Sequence, residues 1–476
     1  MNQPVASGQC PGIGRSPLER RIVVQKFGGT SVADDAGRYA AAQRVIASRH
    51  AGMSPVVVVS AMGRYGAPYA TDTMINFARS IGPDMARREL DLLMACGELI
   101  STVIMAHTIR HLSGINTVAV TGGQAGIVTN WDFGNARIRR IHPDYLLHCL
   151  DREKVPIVAG FQGITEQDRH GVHGAVTTLG RGGSDTTATA LGVAMQAEAV
   201  EIFTDVNGVL TADPDIVPTA RTLPTISYEE ICEMSYLGAK VIHPRAAEMA
   251  MQHDLALWIK RTKGEGDGTF ICQHSDQGDP KVVTGVTHSG VVAPVTLHIQ
   301  DEEDKPWVEH EIFRLLATAD IPVYLASTTR TTITFCLDKS NVERLQAVLN
   351  AVVVPVRKPS ERGVRVYIVR VGTGSATYEV QRKMIEGAPE MHPLTVTARI
   401  GQEARIVSLI GLLLQDTPGV MARMARALER AGIEPLQTAD SRISLSVLVS
   451  DAQASAAVSA LHQEFVESEY EEARAS

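Results

Sequence analysis

Along residues 21–262 short β-branched runs alternate with longer stretches whose apolar residues recur at helical spacing. The runs at 22–25, 55–60, 117–121, 155–159 and 199–204 predict strands of a mostly parallel sheet covered by helices. Gly, Ser or Thr stands at or shortly after the ends of these runs. Ligands of open α/β sheets collect at the carboxyl ends of the strands, so the loops that follow are the place to look for chemistry. Residues 263–282 are rich in Gly, Asp, Gln and Lys and read as a linker, with one short strand at 269–272. Beyond it the periodicity changes to strand, helix, strand, strand, helix. One such unit spans about 294–353 and has its helix at 307–319. A second spans about 404–470 and has its helix at 419–431. An additional strand, helix, strand pattern fills about 354–403. The fold class expected is α/β, followed by two small α+β units.

A chain of 476 residues exceeds what one hydrophobic core supports, in agreement with that division. With 44% hydrophobic and 21% charged residues and a formal net charge of −8, it shows no basic surface for nucleic acid. Cys10, Cys96, Cys149, Cys232, Cys272 and Cys336 are far apart and form no C-x-x-C pair. They read as reduced structural thiols, which points to the cytoplasm. The first twenty residues lack an apolar signal core and read as a flexible tail. No later run is expected to reach the length of a membrane span.

Three loops carry candidate chemistry. Lys26-Phe27-Gly28-Gly29-Thr30-Ser31 follows a strand and precedes a helix. Glycines there let backbone amides approach a phosphate, and a lysine supplies charge to a phosphoryl group in transfer. A plain strand-to-helix turn accounts for a lone Gly-Gly equally well. Thr178 to Thr187 forms a second loop, in which Arg181 suits a carboxylate and Asp185 an ammonium group. Those are the two ends of an amino acid, although Ser184 or Asp185 also suits a helix N-cap. The third loop, Phe203 to Val209 with Thr211-Ala212-Asp213-Pro214, again closes a strand, and turn chemistry alone explains its Asn-Gly and Asp-Pro pairs. Three such loops on one sheet favour a common site. Val371-Gly372-Thr373-Gly374-Ser375 imitates a dinucleotide turn without its third glycine, and His142 and His243 have no companion metal ligands nearby.

Together with Gly97-Glu98, the segment 121–126, the segment 159–163 and Gly238 to Pro244, these loops resemble the aspartate kinase family across residues 21–262. The stretch from Ser60 to Asp72 is similar to the single-function, diaminopimelate-sensitive type. Asp416-Thr417-Pro418-Gly419-Val420 and Gln437 to Ser441 resemble ACT domains. The resemblance implies an amino-acid kinase fold and transfer of the γ-phosphate of Mg-ATP to the side-chain carboxylate of L-aspartate. It also implies an amino-acid effector at the ACT domains, a homodimer or dimer of dimers, and no dehydrogenase portion. Carried over by residue, Lys26 with the amides of Gly28 and Gly29 holds the γ-phosphate, with Thr30 and Ser31 beside it. Arg181 grips the α-carboxylate of aspartate, and Glu98 and Asp185 orient its amino group. Ser60, Thr71 and Ser184 edge the substrate site, while Thr204, Asp205 and Lys240 contact the nucleotide. No metal ligand set is assigned, and no catalytic base is required, because the attacking carboxylate is ionised at neutral pH.

Two departures stand out. Asp215 occupies a position where the family has an arginine that holds the triphosphate, and the segment at 354–403 is longer than the usual connection. The helix entry Asp304-Lys305-Pro306-Trp307 also lacks the glycine common at ACT effector sites. A family member that has lost or changed its activity, as a regulatory subunit or a kinase for another carboxylate, is the alternative that Asp215 keeps open.

Overall fold

The computed structural model describes residues 20–82, 84–166, 174–239, 241–273, 282–356, 364–372 and 376–468. The tail expected at 1–20 falls outside them except for Arg20, as does Lys240. The chain forms two compact units. The first comprises Met1–Leu210, Thr222–Ser235 and Lys240–Gly278, and the second Thr211–Arg221, Tyr236–Ala239 and Asp279–Ser476.

In the first unit an eight-stranded sheet runs Thr225–Ser227, Thr269–Cys272, Leu257–Arg261, Ala199–Thr204, Ile22–Phe27, Ser54–Val59, Val155–Ala159, Thr117–Val120. All neighbours are parallel except Leu257–Arg261 with Thr269–Cys272. The run Ser-Pro-Val-Val-Val-Val of 54–59 is buried throughout, as a strand covered on both faces must be. Helices Asp35–His50 and Arg87–Ser113 pack over it through Val45, Met105 and Ile109, and Phe27 stacks on Phe203 between adjacent strands at 4.8 Å. Asp34 caps the first of these helices, its side chain accepting from the Gly37 amide. After Ile22–Phe27 the chain builds strands to one side and later returns to the other with Ala199–Thr204. The carboxyl end of Ile22–Phe27 is therefore the switch point where an open sheet leaves a crevice. A second sheet of four short strands lies in the same unit.

The strand Thr269–Cys272 belongs to this main sheet, so the stretch that reads as a linker from 263 onward is still part of the first unit. A second reading is corrected by Arg87–Ser113. At 27 residues it is long and apolar enough by length and composition to cross a membrane. Half of its apolar window is buried inside the unit, and Asp91, Glu98 and Thr102 lie on its buried face, which mark it as a core helix.

The second unit holds a ten-stranded sheet. Val292–His298, Tyr324–Thr328 and Thr332–Asp338 with helices Lys305–Thr318 and Val342–Leu349 make one α+β module. The place on the other side of Val292–His298 goes to Met391–Ile400. That strand arrives by way of Val353–Val356, Val364–Val371 and helix Ala376–Glu386. The residues expected as an extra segment are thus built into the first module: Val354, Tyr367, Val369 and Val396 share one core with Val308 and Ile312. Ala404–Ile410, Gln437–Asp440 and Ser444–Ser450 with helices Val420–Arg430 and Ala454–His462 make the second module, flanked by Gly285–His288. Ala212 and Val217 of the short excursion Thr211–Arg221 join its core beside Val283 and Phe465.

Candidate active site

At the carboxyl ends of Ile22–Phe27 and Ser54–Val59 the first unit forms an open cavity of about 500 Å³. Lys26, Gly29, Ser60, Thr71, Glu98, Arg181, Ser184 and Asp185, all singled out from sequence, line it. Helix Thr71–Ile81 starts at its edge, helix Arg87–Ser113 supplies Glu98 from one side, and helix Gly183–Ala194 supplies Ser184 and Asp185.

Lys26 Nζ lies 2.7 Å from Asp185 Oδ1, and both side chains are nearly buried. The other Asp185 oxygen accepts from the His243 amide at 3.3 Å. Helix Gly183–Ala194 is capped by Gly182 with no side-chain cap bond, which corrects the reading of Ser184 or Asp185 as N-cap. Gly182 has a left-handed φ of 68°, and a Cβ there would lie 2.1 Å from the His243 ring, so only glycine fits. Arg181, next to it, is exposed and has no ion-pair partner among the described residues.

Glu98 is buried, and its Oε1 accepts from the Ala61 amide at 3.1 Å while Oε2 has no hydrogen-bond partner among the described residues. Burial raises its carboxyl from the ordinary 4.5 to about 8, against the lowering effect of that amide. Gly29 approaches the same loop so closely that a Cβ would lie 2.5 Å from Ala61 O. Here the glycine serves backbone contact, and the Lys26 loop and the Ser60 loop are welded together.

Five residues expected in the site do not line this cavity: Gly28, Thr30, Ser31, Thr204 and Asp205. The Gly28 amide donates to Phe203 O at 3.3 Å, continuing the strand pairing, so it is committed to backbone and not directed at a phosphate. Ser31 is buried, its hydroxyl accepting from Thr262 Oγ1 at 2.7 Å, which turns it away from the position expected beside the phosphate. Thr204 donates to Asp205 Oδ1 at 3.0 Å, and Asp205 Oδ2 lies 3.3 Å from Arg64, a residue that does line the cavity. Lys240 lies outside the described residues. Asp215 is exposed on the Thr211–Arg221 excursion of the second unit, its amide turned back to Asp213 Oδ1 at 3.0 Å.

Two positions that shape the cavity were not singled out as site residues from the sequence. Asp91 is fully buried, and its Oδ2 accepts from the amides of Thr178 and Gly134 at 2.7 and 3.0 Å while Oδ1 accepts from Thr178 Oγ1 at 2.9 Å. It ties two cavity-lining loops together. An acid on the apolar side of a helical repeat was the available signal. Phe161 lines the cavity with a φ of 68°, strained for an aromatic residue, and its amide donates to Thr187 Oγ1 at 3.1 Å. No sequence signal marks that conformation.

Residues 21–261 match the amino acid kinase family and residues 407–465 an ACT domain. Among curated relatives, aspartokinase 1 of Bacillus subtilis is 37% identical over 451 residues, covering 94% of this chain and 99% of the relative. The aspartokinase of Mycolicibacterium smegmatis is 36% identical over 454 residues, covering 93% and 96%. Among solved structures, Escherichia coli aspartokinase III in complex with aspartate and ADP superposes with a TM-score of 0.70 at 24% identity, covering 93% of this chain and 99% of that one. That likeness shows the shared fold. The fold, the sheet-end cavity and these matches define the class, a kinase of the amino acid kinase family. Within that class the chain belongs to the aspartokinases, and it is an ATP-dependent aspartate kinase.

Proposed function

We propose that the cavity holds aspartate against the γ-phosphate of Mg-ATP and that Lys26, Glu98, Arg181 and Asp185 carry the reaction. The observation that carries this reading is the nearly buried Lys26–Asp185 pair at 2.7 Å, set in one cavity with Glu98 and Arg181. Arg181 takes the α-carboxylate in a two-point grip. Glu98, with an unpartnered oxygen, and Asp185 take the ammonium group, which leaves the side-chain carboxylate aimed at the phosphate near Lys26. An oxygen of that carboxylate forms the new P–O bond as the bond from the γ-phosphorus to the β,γ-bridging oxygen breaks, and the electron pair leaves with ADP. No proton has to move. Lys26 stabilises charge on the transferring group, and the site's main task is alignment.

Among the described residues no group of three or more His, Cys, Asp or Glu forms a metal cage. A magnesium ion held mainly by nucleotide phosphates and water needs only one or two carboxylates, and Asp205 at the end of Ala199–Thr204 suits that role. When bound, the ion supplies charge neutralisation on the phosphates. Thr204 and Lys240 complete the nucleotide edge. The product, 4-phospho-L-aspartate, opens the route to diaminopimelate, lysine, methionine and threonine in the cytoplasm. The ACT modules make the enzyme a homodimer or dimer of dimers under feedback control by an amino-acid end product. Solved relatives described with aspartate and ADP, and with lysine and aspartate, support this reading.

A hydroxamate assay with aspartate, glutamate and related acids tests the acceptor, and titration with each end product tests the control. Equal turnover of glutamate would sink the assignment of Arg181, Glu98 and Asp185 to an aspartate-sized acceptor.

A further inference from the structure

The cationic side chains lining the cavity are Lys26, Arg64 and Arg181. Lys26 is already paired with Asp185, and Arg181 belongs to the acceptor under the reading above. A transferring phosphoryl group spreads negative charge over its oxygens and calls for more positive charge than one paired lysine offers. Among the described residues that line the cavity, Arg64 is the remaining cation. The loop that bears it is fixed to the Lys26 loop. The Gly63 amide donates to Gly29 O at 3.0 Å, and a Cβ on Gly29 would lie 2.9 Å from Gly63 O. Its guanidinium reaches 3.3 Å from Asp205 Oδ2, at the carboxyl end of the strand on the other side of Lys26. Arg64 thus starts from the acceptor-side loop and ends at the nucleotide-side strand. The two side chains are 77% and 56% exposed, and such surface pairs are weakly held and readily exchanged for a stronger anion.

We propose that Arg64 is a further catalytic residue, whose guanidinium leaves Asp205 and takes two oxygens of the γ-phosphoryl group during transfer. The inference rests on the reading that phosphoryl transfer occurs beside Lys26. The planar fork of arginine suits two phosphate oxygens at once, and a lysine in its place keeps the charge without that geometry.

The test uses the full chain with Arg64→Gln and Arg64→Lys. It measures steady-state kinetics and calorimetric binding of ADP and of a non-hydrolysable ATP analogue. For Arg64→Gln the expected result is a ten- to hundredfold loss of kcat and at least fivefold weaker binding of the ATP analogue. The Kd of ADP and the KM of aspartate stay within twofold of wild type. Arg64→Lys falls between the two, and because the position is exposed both variants keep the wild-type thermal midpoint. Should Arg64→Gln fail to fold, Arg64→Lys carries the same comparison. Equal weakening of ADP and analogue, or a kcat within twofold of wild type, would overturn the proposal. Lys26→Ala, run alongside, separates the two claims. If Lys26→Ala is inactive and Arg64→Gln is normal, only the role of Arg64 falls, whereas an active Lys26→Ala removes the underlying reading.

Discussion

The site depends on a few charges held where water does not compensate them. Lys26 is nearly buried against Asp185, so Lys26→Ala leaves a carboxylate without its cation and removes charge needed at the transition state. We expect kcat to fall by about 10²–10³, with circular dichroism unchanged. Arg181→Lys is expected to raise the aspartate KM more than the ATP KM, because an ammonium group cannot reproduce a planar two-point grip. A larger effect on ATP would move Arg181 to the nucleotide side. Glu98 makes the sharpest case. Its folded carboxyl titrates near 8 and its ordinary value is 4.5, so the folded chain keeps a proton that the unfolded chain loses. The stability tied to this group is complete below pH 4.5 and is lost as pH rises through about 8. Glu98→Gln removes that slope, and thermal midpoints measured across the window should show a flatter profile for the variant. Docking an ammonium group beside Glu98 also favours its charged form. Aspartate binding should therefore release a proton, read as a calorimetric heat that varies with the buffer's ionisation enthalpy in wild type and not in Glu98→Gln.

Among the elements, the Gly-rich loop before helix Gly183–Ala194 is held from beneath by Asp91. Asp91→Ala strands the buried amide of Thr178, at a cost of about 1–3 kcal/mol, and also releases the amide of exposed Gly134. Asp91→Asn, with an oxygen to accept and an amide that suits the Thr178 hydroxyl, should recover part of the loss. Urea unfolding checks the energy, and a rise in aspartate KM in Asp91→Ala checks that the loop has shifted. This anchor shows where sequence legibility ends. The strands at 22–25 and 199–204 were readable because β-branched runs ending at glycine or threonine carry their own signal. Lys26, Arg181 and Asp185 were readable because charged residues at glycine-rich sheet-end loops are few, whereas Glu98, in the middle of helix Arg87–Ser113, entered only through the family resemblance. Asp91 and Phe161 act through partners 87 and 26 residues away, and such separations leave no local pattern. Gly28 and Ser31 sat inside the right motif, yet only the position of Phe203 O and Thr262 shows that their polar atoms are already engaged. The residues at 354–403 were legible as strand, helix, strand, but not their insertion beside Val292–His298, because sheet order is a non-local choice.

For the whole molecule, the excursion Thr211–Arg221 matters most. It is flanked by the antiparallel bridge of Leu210 with Thr222, and it contributes Ala212 and Val217 to the core of the second unit. A chain ended after residue 278 would leave those side chains without a core, and we expect it to aggregate. Replacing 211–221 by a short Gly-Ser turn between Leu210 and Thr222 should restore a soluble first unit, because the bridge already brings those ends together. Light scattering and thermal midpoints of the two truncated chains make the comparison. Equal solubility would show that the excursion is dispensable to the packing.

The same excursion bears on how such enzymes can be recombined. The second unit is discontinuous in the gene: its residues come from 211–221, 236–239 and 279–476. A chimera that exchanges only the 3′ half of the coding sequence with that of a relative would join a foreign core to native Ala212 and Val217, so grafting another enzyme's effector response calls for three exchanged pieces instead of one. Drift in this core is coupled in the same way, since a substitution at Val283 or Phe465 is felt at Ala212 and Val217, about 70 and about 250 positions away in the sequence, inside the region matched to the kinase family.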